Sequence, residues 1–150
     1  MVRGVLFRPL AWFQFVRGSR RIRNIPLATD EAEATYVAFR LNDAFSVLQH
    51  LQPSKALRAQ AHLYAIATAP MSHGNHFYMD NFRVLVLHPE TLRKWSAVDL
   101  AAALVYAGTR AYLEVQLWGY HRLKRQTEVA SLAARNFKAL AARRHVWPAA

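Results

Sequence analysis

The chain has 150 residues and a mass of 17.1 kDa; 53% of it is hydrophobic, 19% is charged, and it has no cysteine. That length and apolar content suit one domain with a real core rather than a disordered chain. The lack of thiols excludes a disulfide scaffold, a cysteine nucleophile and a thiolate zinc site. Twenty Lys and Arg against nine Asp and Glu leave a formal net charge of +11, which favours anionic partners such as nucleic acid or a lipid surface.

The charge is unevenly spread. Arg3, Arg8, Arg17, Arg20, Arg21 and Arg23 all precede the first acid, Asp30, and residues 1–28 read as a basic aromatic arm carrying Trp12, Phe13 and Phe15. The apolar run from Val5 to Val16 falls short of the ~20 residues that span a bilayer. It suits a strand or arm packed on the domain, an interfacial anchor or a processed targeting sequence. No small-residue cleavage motif follows the run, which favours the packed arm, and a cytoplasmic or peripheral-membrane location is expected over secretion.

Residues 29–150 read as a single helical domain. Asp30 followed by Glu33 signals a helix start, and Val37, Leu41, Ala44, Phe45, Leu48 and Leu51 then recur on one face, so a helix is expected from Glu31 to Leu51. Pro53 and Ser54 end it. A short helix near Lys55 to Gln60 and a strand within His62 to Thr68 should follow. Ser72, Gly74, Asn75, Asp80 and Asn81 mark Pro70 to Asn81 as a loop. Phe82 to His88 alternates as a strand and stops at Pro89. Ser96 and Asp99 open an alanine-rich helix over Ala97 to Trp118, which Gly119 terminates; Tyr120 to Arg144 forms a last helix packed antiparallel to it. The expected class is α+β, mostly helical, with a small antiparallel strand pair packed on the alanine-rich helix.

That helix reads Val105-Tyr106-Ala107-Gly108-Thr109-Arg110-Ala111-Tyr112-Leu113-Glu114. It resembles the active-site helix of small bacterial zincin-like zinc metallopeptidases, which carries a phrase of the form Val-His-Glu-Ala-Thr-His-Ala-x-Leu-Glu. Val105, Thr109, Ala111, Leu113 and Glu114 stand where the phrase puts them. In His-Glu-x-x-His, two imidazoles one turn apart hold zinc and the Glu activates its water. Here those positions are Tyr106, Ala107 and Arg110. Alanine offers no base, and a guanidinium stays cationic and does not ligate zinc.

In the glutamate-ligand branch of that group a third ligand comes from a later helix, and Glu128 lies at a compatible spacing. The resemblance therefore implies a minimal zincin-like frame whose former metal-site positions are Tyr106, Ala107, Arg110 and Glu128: a pseudo-metallopeptidase with a binding or structural role, an unidentified protein partner and no cofactor. It further suggests that Arg110 reaches Glu128 across the vacated space; the local alternative is Arg110 with Glu114. An unrelated helical bundle, with Leu100, Leu104, Ala107, Ala111 and Val115 simply in its core, is the competing reading.

Two other functions stay open. His73, His76 and Asp80 could make a displaced metal site for a hydrolase. The basic arm and the last helix, with Arg122, Lys124, Arg125, Arg135 and Lys138, could contact nucleic acid or an anionic membrane surface. No Gly-x-Ser-x-Gly elbow and no Gly-rich phosphate loop occur.

Overall fold

The computed structural model describes residues 20–71, 74–116 and 122–144. It is a mostly helical α+β arrangement. Strands β1 (Arg21–Ile22) and β2 (Ile25–Ala28) open it, followed by a 3-10 turn (Glu31–Glu33) and helices α1 (Ala34–Leu51) and α2 (Pro53–His62). Then come β3 (Ala65–Thr68), β4 (His76–Met79), β5 (Val84–Leu87), α3 (Pro89–Lys94), α4 (Ala97–Gln116) and α5 (Arg122–Arg144).

The five strands form one sheet in the order β1-β2-β3-β5-β4. β2, β3 and β5 run parallel, while β1 and β4 are antiparallel edges. The hairpin between β1 and β2 turns through Arg23 and Asn24, both at positive φ (48° and 73°), the geometry whose twist matches a tight hairpin. Pro26 cannot donate to a ladder, and the pairing with β3 begins just past it, at Leu27 opposite Ile66. The last residues of the basic arm are thus strands of the sheet, with Ile22, Ile25 and Leu27 in the core. The aromatic run before them lies outside the described residues.

Side chains alternate across the sheet with the period of two that strands impose. Ile25, Leu27, Ile66, Leu85 and Leu87 pack with the helices in the main core. Ala28, Ala65, Ala67, Val84 and Val86 form a second, smaller cluster with Met79.

Helix signals in the sequence are realised by local hydrogen bonds. The Asp30 carboxylate accepts from the Ala32 N–H at 3.2 Å, at the start of the 3-10 turn that leads into α1. Ser96 Oγ accepts from the Asp99 N–H at 3.1 Å and donates to the Asp99 carboxylate at 3.0 Å, fixing the first turn of α4. His88 Nδ1 accepts from the Glu90 N–H ahead of Pro89, which starts α3, a helix the sequence reading did not anticipate.

Pro70 to Asn81 is not all loop, because His76–Met79 pairs with β5 as an edge strand, Phe77 opposite Val86 and Tyr78 opposite Leu85. The segments around 65–68 and 84–87, expected to pair antiparallel, run parallel, and β4 supplies the antiparallel partner. The sheet therefore has five strands where two were expected. The cause in each case is non-local: a short strand gains stability from its neighbours, not from its own composition. Gly119 and the expected break beside it lie outside the described residues. α4 and α5 do pack antiparallel, since Asp99 meets Lys138 at one end while Ala102, Ala103 and Tyr106 share a cleft with Ser131 and Ala134.

Candidate functional site

The edge strand β4 and the turn that follows it lie against the middle of α4, where the metallopeptidase-like phrase stands. Arg110 has only 10% of its side chain exposed. Its guanidinium pairs with Asp80 in the turn after β4, donates to the Tyr106 hydroxyl at 3.3 Å and sits 4.8 Å from the centre of the Tyr78 ring. One turn further along α4, Glu114 accepts from the Tyr78 hydroxyl and from the Asn81 N–H, each at 2.8 Å. Burial and the neighbouring Glu114 carboxylate push the Tyr78 hydroxyl far above its usual value, so it stays a donor.

These contacts bolt the β4–β5 turn to α4, and they correct the expected pairing. Arg110 engages Asp80 rather than Glu128, which is exposed on α5, and Glu114 engages Tyr78 and Asn81 rather than Arg110. A guanidinium that deep in the core requires an anion nearby, and the turn after β4 delivers one closer than α5 does. Ala107, at the position of the glutamate in the resembled motif, is fully buried.

Beside this cluster an open cleft of about 480 Å³ lies between β4, α4 and α5. Trp95, His76 and Tyr106 form one wall; the His76 ring meets Trp95 edge-on at 5.3 Å and Tyr106 at 6.2 Å. Ala102, Ala103 and Ala134 give an apolar floor, and the Asp99–Lys138 ion pair, at 3.0 Å, closes one end. His76 Nδ1 is buried and has no hydrogen-bond partner, and burial holds the imidazole pKa below its ordinary value. The ring is therefore neutral near pH 7 and stands in the wall of a mostly apolar space. Such a setting favours a ligand with an apolar body and one convergent polar group.

The sequence-derived sites scatter. Tyr106 lines the cleft and Arg110 braces its edge, but Ala107 and Glu128 contribute nothing to it. His73 lies outside the described residues, Asp80 is taken by Arg110, and His76 meets Trp95 and Tyr106 edge-on. Among the described residues no three His, Asp or Glu side chains converge to hold a metal. Arg125, Arg135 and Lys138 are exposed on α5, Lys138 meeting Asp99; the side chains of Arg122 and Lys124 lie outside the described residues. Trp95, Glu114 and Asp99 were not singled out as site residues, and Lys138 was expected only as part of the basic surface. Ser96-x-x-Asp99 and the closing Glu of the resembled phrase were the sequence signals that touched Asp99 and Glu114. No protein-family model, curated protein or solved structure matches the chain.

Proposed function

We propose that this protein is a non-catalytic binding protein on a zincin-like frame, taking a small, largely apolar ligand in the cleft between β4, α4 and α5. The observation that carries the reading is the combination at the family's metal positions. The base position is a buried alanine, the second ligand position is an arginine held by Asp80, and an open cleft beside them has a neutral His76 with an unpaired Nδ1. A site of that chemistry holds and orients a ligand; it has no group to activate water at the positions where the frame would supply one.

Titrating the full chain with small aromatic alcohols and amides, followed by NMR of the His76 imidazole, tests it. Saturable shifts at His76 that disappear in Ala103→Trp, which fills the floor, are the expected result. Absence of any saturable response across such a set contradicts the reading.

A second reading, contact with nucleic acid or an anionic membrane surface, is favoured by one feature: Arg125, Arg135, Arg143 and Arg144 are exposed along α5 with no carboxylate partner among the described residues. Retention on DNA or anionic vesicles that falls steeply with salt supports it; salt-independent passage removes it.

A further inference from the structure

A second cluster of polar side chains forms around Tyr112 in the last turns of α4, and the cleft does not use it. α2 carries Lys55, Arg58 and His62 at spacings of three and four residues, which places all three on one stripe of the helix. Helix α2 contains no acid. The Arg58 guanidinium stacks 4.3 Å from the centre of the Tyr112 ring, and the His62 ring meets the same tyrosine edge-on at 5.2 Å. Just past α2, the Tyr64 N–H donates to the Arg83 carbonyl at 2.8 Å, tethering Arg83 beside His62. Arg83 is held at φ 55°, in the left-handed region, on the turn into β5.

All four side chains are half-buried, and among the described residues none of them pairs with a carboxylate. Arg93, Arg110 and Lys138 each have an acidic partner, and the unpaired arginines of α5, Arg125, Arg135, Arg143 and Arg144, are exposed rather than half-buried. Like charges held together in partial burial destabilise one another. The effect is visible at two of the four: burial, then Arg83 and Arg58, lower the His62 pKa, and burial, then Arg58, lower that of Lys55.

We propose that Arg58, His62 and Arg83, supported by Lys55, form a binding site for the phosphate group of a small phosphorylated molecule. Two guanidiniums, each with a planar pair of donors, match a tetrahedral dianion, whereas a carboxylate is satisfied by one. The imidazole adds a third donor once the bound dianion relieves its repulsion. Tyr112 serves as the platform that holds Arg58 and His62 against one ring before the anion arrives.

NMR of the His62 imidazole in the intact chain, with inorganic phosphate, phenyl phosphate, acetate and chloride at matched ionic strength, tests the assignment. Saturable shifts with a raised His62 pKa are expected for the two phosphates, and acetate and chloride should give only weak, unsaturating changes. Phenyl phosphate binding more tightly than phosphate identifies an organic monoester as the ligand class; equal affinity identifies free phosphate. Arg83→Gln should weaken binding by roughly tenfold or more, the loss of a charge-assisted hydrogen bond, and so should Arg58→Gln. Arg83→Gln leaves the Arg58–Tyr112 stack in place, so it carries the test even if Arg58→Gln does not fold. A phosphate response no different from that of chloride, or wild-type affinity in Arg83→Gln, overturns the proposal.

Discussion

At the residue scale, the Arg110–Asp80 pair and His76 govern what the cleft can do. Arg110 is nearly buried while Asp80 is 39% exposed, so the two ends of the pair are not equivalent. Asp80→Ala strands a buried guanidinium and should cost about 1.5–3 kcal/mol, the range for hydrogen bonds to charged groups. In the Asp80→Ala, Arg110→Met double variant much of that loss should return, because an apolar side chain fills the space without a charge to satisfy. Urea denaturation of the two singles and the double gives the coupling; strictly additive losses contradict the pairing.

His76 links the cleft to pH. Its pKa is lower folded than unfolded because of burial, so its contribution to stability is complete above the ordinary histidine value of about 6.5 and is lost as pH falls through the lowered folded value. His62 acts with the same sign. Acidification from pH 7.5 to pH 5 should therefore destabilise the wild type more than His76→Phe in paired urea titrations. Equal losses in both proteins would mean that His76 is solvated and free to protonate.

At the element scale, α4 is the organising helix, and Gly108 shows how tightly it is set. A Cβ at Gly108 would lie 2.9 Å from both Cα and Cβ of Ala59 on α2, so the two helices touch backbone to backbone. Gly108→Ala gains helix propensity but forces the pair apart. The overpacking term, about 1–3 kcal/mol, should outweigh that gain, and thermal denaturation should show a lower Tm; a raised Tm would mean that α2 moves away without cost.

The same scale shows what could be read from the chain alone. α1, α4 and β5 carry their signals locally: Asp30 ahead of a periodic apolar face, the Ser96–Asp99 box, and the Val-Leu-Val-Leu run of β5 before Pro89. β4 does not. Its four residues sit between Gly74, Asn75, Asp80 and Asn81, all turn formers, and it becomes a strand only because β5 offers an edge. β1 and β2 hide behind Pro26 and a turn with no glycine. On α4, Tyr106 and Arg110 could be named; His76 and Asp80 were named too, but for a metal, and that Asp80 partners Arg110 depended on β4, the strand that composition concealed.

At the scale of the whole molecule, the mixed sheet and the α4–α5 pair place one open cleft beside a helix that resembles a metallopeptidase motif in its flanks and lacks that motif's chemistry at its centre. The small residues Ala102, Ala103 and Ala134 keep the cleft open where larger ones would close it. The edge strand, the turn after it and α4 hold one another through Tyr78, Asn81, Asp80, Arg110 and Glu114. That bracing stiffens the wall of the cleft without any metal ligand.

The proposed role of this cleft is to bind without hydrolysing. The most direct test purifies the full chain without chelators, measures bound zinc by elemental analysis, and follows cleavage of casein and generic peptides with and without added zinc. Zinc well below one equivalent and hydrolysis no faster than in buffer are expected under either condition. Stoichiometric zinc together with peptide cleavage that a chelator abolishes would contradict it.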